Sequence, residues 1–409
     1  MHRPGLIALS MVVLAAVACG DKPPEADTAG GDLLYLEGRE GIAVLAAGAA
    51  AEPPTTTGTP STDWTSVVTA DAHRLATDVE ARDARTGEPQ WNRSIDGPKL
   101  DLRVVSREAE MVALVPQGNH YLEGRTQTTL VVTGRDVEPQ TIRLDGNYEP
   151  EAFSNDGGSV FLLEYLPPQA PNSYRVRRLD LDTEKVLGVY SVDAELQERM
   201  RGTARIQAMS PDGTYLYTLY TTGGGRFGPR RAFVHVLNLD ELWAHCIDLP
   251  AEFGQVREPE IALTVSPDSE RLYVNDVDSG AMAEVDTGSL EVLRTSSAPV
   301  LTSGYTPRGV HDGHHTLYVA RGPFLSAIDA RTLEQTDEWT MSNRIRGIQV
   351  SADASKVYVA LATRVVTLDA ATGEELEVTD PAGVGRIRGM GPVMRSINQP
   401  PLDKLTCAC

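Results

Sequence analysis

Ser266-Pro-Asp-Ser-Glu-Arg-Leu-Tyr-Val274 is the stretch that decides the fold. Two others repeat it: Ser210-Pro-Asp-Gly-Thr-Tyr-Leu-Tyr217 and Ser351-Ala-Asp-Ala-Ser-Lys-Val-Tyr-Val359. Ser, Pro, Asp and Gly supply turn conformations, and the aromatic and β-branched residues that follow suit a pleated strand. A polar turn thus leads into a strand three times over. Repetition of this kind sets an architecture before any single residue does.

The fullest unit runs from Arg344 to Val378. Arg344-Ile-Arg-Gly-Ile-Gln-Val350 reads as a first strand and Lys356-Val-Tyr-Val-Ala-Leu361 as a second. Arg364-Val-Val-Thr-Leu-Asp369 is the third and Glu375-Leu-Glu-Val378 the fourth. Four short antiparallel strands in roughly 40–50 residues match one blade of a β-propeller. Second strands recur at about Tyr35, Val67, Val112, Phe161, Tyr217, Tyr273, Tyr318 and Tyr358, which counts eight blades. The two earliest copies are the weakest, so seven blades also fit.

Ring closure has its own mark. Arg386-Ile-Arg-Gly-Met390 copies Arg344-Ile-Arg-Gly-Ile348, but no second strand follows it. Leu33-Leu-Tyr-Leu36 and Gly41-Ile-Ala-Val-Leu45 are second and third strands that lack a first. Joining the two ends completes one blade and removes two exposed sheet edges. The expectation is an all-β chain: a single propeller of four-stranded antiparallel blades over residues 33–391, closed by strands from both ends.

On these residues the chain resembles the YVTN-type β-propeller repeat proteins of bacterial and archaeal surfaces. Their unit reads roughly Ser-Pro-Asp-Gly, then Leu-Tyr-Val, then a strand ending Ile-Asp-x-x-Thr-Gly. Ser266 to Asn275 and Ser351 to Gly373 match closely, Ser210 to Tyr217 matches well, and the likeness extends from about Asp32 to Gly391. It implies the fold and says little about activity. Relatives with that repeat are mostly surface or periplasmic proteins, and related propellers include lactonases and quinoprotein dehydrogenases.

Residues 1–18 carry Arg3 and an apolar run from Leu6 to Ala18, with the shape of a signal peptide and too short to span a bilayer. Ala16-Val-Ala-Cys19 resembles a bacterial lipobox, with Ala16 where Leu is more usual. That resemblance implies lipid on Cys19 and attachment to the membrane through it; an ordinary signal peptide with a bystander cysteine is the alternative. Residues 19–32 are polar and rich in Pro, Gly and acidic groups, as a flexible tether should be. The expected location is extracytoplasmic, at the bacterial cell envelope.

The formal net charge is -20, from 37 basic and 57 acidic residues. Such a chain repels phosphate backbones, so nucleic acid is not an expected partner. Export lets Cys246, Cys407 and Cys409 form disulfides. Cys246 falls on the fourth, outermost strand of its blade, and Cys407 and Cys409 end a tail of residues 392–409. The expected bridge joins Cys246 to one of them and leaves the other free. Cys-x-Cys as a metal site is the sharper alternative, short of ligands with two thiolates and no nearby His.

Two segments could carry chemistry. His311, His314 and His315, with Asp312, are candidate metal ligands, yet Asp312-Gly313 aligns with the turn Asp212-Gly213, which favours a solvated loop. Arg226, Arg230 and Arg231 in Gly223-Gly-Gly-Arg-Phe-Gly-Pro-Arg-Arg231 are candidate ligands for a carboxylate or phosphate, or else decorate a flexible hairpin. No Gly-x-Ser-x-Gly elbow or other catalytic constellation is legible, and no cofactor is expected. The reading is a lipid-anchored binding or scaffold module for an envelope protein or small ligand. An extracytoplasmic enzyme, either a lactonase-like hydrolase or a quinone- or metal-dependent oxidoreductase, is the alternative.

Overall fold

The computed structural model describes residues 32–391, except 40, 48–54, 119–120, 192–198, 224–227, 257–259, 298–306 and 382–383, together with 395–396. Cys19, Arg226, Cys407 and Cys409 lie outside the described residues. Eight antiparallel sheets form a ring, and each is one blade. Numbered in chain order, the first blade holds Thr59–Pro60, Ser66–Ala72, Ala76–Asp83 and Pro89–Asp96. The second spans Leu100 to Asp145, the third Tyr148 to Gly188, the fourth Thr203 to Asp248, the fifth Ile261 to Ser297, the sixth Arg308 to Thr340 and the seventh Gly347 to Thr379. The closing blade combines Leu33–Glu37, Ile42–Ala46 and Thr55–Thr56 with Gly389–Gly391, which pairs with the second strand through Leu36–Met390 and Glu37–Gly389. The eightfold count and the ring closure by both ends hold.

The repeated Ser-x-Asp turn has a simple cause. Ser154 Oγ donates to the Asp156 carboxylate at 2.6 Å and accepts from the Ser159 amide at 2.9 Å. Ser61, Ser210, Ser266 and Ser351 repeat the same pair of bonds to Asp63, Asp212, Asp268 and Asp353 and to the residue that opens the next strand. One hydroxyl thereby satisfies both an acceptor and an orphan backbone donor at the start of a second strand. All these turns lie on one side of the ring, here called the turn face, where first strands end.

Between blades the core is apolar. Ile206, Tyr217, Leu219 and Val234 of the fourth blade pack on Leu263, Leu272, Val274 and Ala283 of the fifth, all nearly inaccessible to water. Each such side chain contributes roughly 1.5–3 kcal/mol on burial. At the seam, Asp32 accepts from the Tyr358 hydroxyl at 2.6 Å and from the Ala352 amide at 3.1 Å, which ties the first described residue to the seventh blade.

Two details depart from the strand limits expected above. The innermost strand of the seventh blade begins at Gly347, not Arg344, because the Ile345 amide turns to the sixth blade and donates to Gly322 O at 2.7 Å. The second copy behaves alike: the Ile387 amide donates to Ala362 O of the seventh blade at 2.8 Å, and the strand begins at Gly389. Beyond Gly391, residues 395–396 pair with Gln207 and Ile206, so the fourth blade carries a fifth strand on its channel side. The fourth blade stands opposite the closing blade in a ring of eight.

Candidate functional site

The inner strands of the second, third and fourth blades share a defect that the other blades lack among the described residues. Each has a register shift: at Arg103 between Leu102 and Val104, at Glu151 between Pro150 and Ala152, and at Arg205 between Ala204 and Ile206. A bulge leaves one residue outside the ladder and re-aims its side chain. Here the three re-aimed side chains are charged, and they stand beside the channel.

Two of them are neutralised or bonded locally. Arg103 Nε lies 3.1 Å from Glu149 Oε1, and Arg125 Nη2 lies 3.0 Å from Glu149 Oε2. Burial lowers the Arg125 pKa first, and Glu149 acts against that. Arg205 Nε donates to Thr221 Oγ1 at 2.7 Å. Glu151 has no such counter-charge. Its Oε1 accepts from the Gln207 side-chain amide at 3.2 Å, while its Oε2 is buried without a partner among the described residues. Although the residue as a whole is partly exposed, burial of the carboxyl raises its pKa from an ordinary 4.5 to about 7, against the pull of the Gln207 bond.

Glu151 and Gln207 line a cavity of about 860 Å³ that opens on the turn face. Val104, Phe153, Ala208, Leu216 and Leu263 supply apolar wall. Seven further carboxylates line it, among them Asp63, Asp136, Asp156 and Asp212, against two arginines, Arg107 and Arg135. Arg107 Nη1 donates to Asp212 O at 2.9 Å, bridging the turns of the second and fourth blades. The third and fourth blades are joined likewise, since Asn155 Nδ2 donates to Asp240 Oδ1 at 2.7 Å.

The residues singled out from sequence lie elsewhere. His311 is buried, stacks on Tyr273 with ring centres 5.4 Å apart, and accepts at Nδ1 from the Gly313 amide at 3.0 Å. Burial lowers its pKa, against the pull of Asp312 and Asp268. His314 and His315 are exposed on the turn. Among the described residues no group of three or more His, Cys, Asp or Glu is placed to hold a metal ion. Arg231 opens the third strand of the fourth blade and Arg230 immediately precedes it, on the side opposite the turn face, with Arg230 Nη1 donating to Val256 O at 3.3 Å. Cys246 lies on the outermost strand with no disulfide partner among the described residues, 3.7 Å from Met200 Sδ.

Sequence reasoning missed Glu151 and Gln207. The available cue was Tyr148-Glu-Pro-Glu-Ala-Phe153, an innermost strand holding a proline and two glutamates where apolar residues are expected.

The fold and this channel pocket define an eight-bladed propeller with an acid-lined cavity at one mouth. No protein-family profile matches the chain, and no curated protein sequence matches it. The fold is similar to the crystal structure of Citrobacter koseri AztD, at a TM-score of 0.54 and 12% identity over 90% of this chain and 98% of that one. The apo form of AztD from the same organism gives 0.54 and 13%, over 89% and 96%. At these identities the likeness concerns the fold.

Proposed function

We propose that this chain is an extracytoplasmic binding propeller of the YVTN-repeat kind, tethered through lipid on Cys19, that takes a small organic cation in the channel pocket. The observation that carries this reading is Glu151: a buried carboxyl oxygen with no partner among the described residues, facing a cavity of about 860 Å³. Pockets of several hundred Å3, with mostly apolar walls and a few convergent polar groups, suit small molecules. The acidic rim raises the local concentration of cations, and a cation at Glu151 would supply the missing charge partner. Gln207 then fixes the carboxylate by holding its other oxygen.

An enzyme would need a second titratable group within reach of Glu151 to share its proton. The hydrogen-bond partner it has among the described residues is the Gln207 amide, which relays no proton, so binding is the better reading.

Thermal unfolding and calorimetric titration of the full chain with a panel of primary amines, diamines and quaternary ammonium ions test it. At least one cation is expected to stabilise the protein more at pH 8 than at pH 5, with the effect lost in Glu151→Gln. Stabilisation by none of them, or equally by the Gln variant, overturns the reading. Cys19→Ala is expected to move the protein from the membrane to the soluble fraction; retention on the membrane would remove the anchor.

A further inference from the structure

The two Arg-Ile-Arg-Gly segments do more than open strands. Gly347 stands opposite Ala360 and Gly389 opposite Glu37, the same level of adjacent blades. Arg308 stands opposite Ala320, the corresponding level of the sixth blade. Ile345 and Ile387 are buried between blades, and a Cβ on Gly347 would lie 2.4 Å from Met390 Cβ. With the Ile and Gly positions locked inward, alternation along the extended chain leaves Arg344, Arg346, Arg386 and Arg388 for the channel mouth. That mouth lies where first strands begin, opposite the turn face and therefore apart from the Glu151 cavity.

The guanidinium groups lie near enough there to act on one another. Burial depresses Arg308 first, then Arg344 and Arg346 act in the same direction, and Glu37 opposes them. Burial likewise depresses Arg346, reinforced by Arg344 and Arg386. Arg346 Nε is buried and has no partner among the described residues. In a chain of net charge -20, gathering like charges at one mouth costs stability unless something of opposite sign occupies it.

We propose that Arg308, Arg344, Arg346 and Arg386 form a binding site for a small multivalent oxyanion, phosphate or polycarboxylate, at the channel mouth opposite the turn face. Planar guanidinium forks carried at one level by three adjacent blades suit an anion with several oxygen atoms. The site is independent of the cation pocket, so each can fail alone.

The test is calorimetric titration of the full chain with inorganic phosphate and, separately, citrate at low ionic strength. Saturable binding that weakens with added sodium chloride is expected. Arg346→Ala and the exposed Arg386→Ala are each expected to weaken it by roughly tenfold or more, and Arg346→Lys, which keeps charge but not the fork, by less. Glu151→Gln should leave it unchanged. Without anion, Arg346→Ala should melt no lower than the parent, because it relieves repulsion; a purely structural arginine would melt lower. Phosphate binding alone or citrate binding alone tells which source fits. Binding of neither, binding undisturbed in Arg346→Ala and Arg386→Ala, or a lower melting temperature of Arg346→Ala without anion overturns the proposal.

Discussion

Glu151 and Gln207 come from the inner strands of neighbouring blades, 56 residues apart, and meet at 3.2 Å across the channel pocket. One is placed by a bulge in its own strand, and the other follows closely on a bulge in the next. The pairing leaves one carboxyl oxygen satisfied and the other without a partner among the described residues.

Glu151→Gln should alter stability in a pH-dependent way. The folded protein holds this proton to about pH 7 and the unfolded chain only to about 4.5. Glu151 therefore favours the fold fully below pH 4.5, and that favour is lost as pH rises through 7. The variant is expected to match the parent at pH 4.5 and to be more stable at pH 8, by roughly 2–3 kcal/mol. Urea unfolding at the two pH values checks it. An equal difference at both would mean that the carboxyl ionises normally.

The turn aspartates act with the opposite sign. Asp156 is held below the usual carboxylate range, first by the Ser154 hydroxyl and then by the Gly158 amide, and Asp353 is lowered to about 2 by Ser351 and Ser355. Their contribution is present above pH about 4 and is lost as pH falls through the folded values towards 2. Stability should drop across that window. Ser154→Ala should cost about 1–2 kcal/mol at pH 7 and show a shallower acid loss. A variant as stable as the parent would mean that the turn does not need the hydroxyl.

Gly347→Ala tests how closely the inner strands approach. An added Cβ would sit 2.4 Å from Met390 Cβ and 2.6 Å from its amide nitrogen, both fixed by the closing blade. A loss of about 1–3 kcal/mol is expected, since neighbouring backbone cannot yield like a flexible side chain. Chemical denaturation measures it, and an unchanged midpoint would refute the tight contact.

Cys246 invites a bridge. Burial first, then Asp248, pushes its thiol up to about 12, so as a free thiol it is unreactive at neutral pH. Residues 395–396 pair with Gln207 and Ile206 on the channel side of the blade that carries Cys246. Eleven steps from residue 396 to Cys407 reach up to about 36 Å, against about 19 Å over the four strand spacings that separate residue 396 from Cys246. Non-reducing peptide mapping is expected to find Cys246 joined to Cys407 or Cys409. Full alkylation of Cys246 without reductant would exclude the bridge.

The Ser-x-Asp turns, the Leu-Tyr-Val strands and the unpaired Arg-Ile-Arg-Gly copy were enough, as sequence alone, to determine a propeller closed by both chain ends, with a count of eight blades that left seven open. Those features are local: one hydroxyl, one turn and one alternation decide each, and repetition multiplies the same decision around the ring. Only the tertiary structure decided where charge is bare. A bulge at Glu151 depends on register with a partner strand, and nothing in Glu149-Pro-Glu151 states which carboxylate will find arginines and which will not. Arg344-Ile-Arg-Gly347 was legible as a strand opening, while its arginines became neighbours of Arg308 and Arg386 only once the ring closed. Turn and strand formation follow nearest neighbours along the chain, but electrostatics follows distance through space.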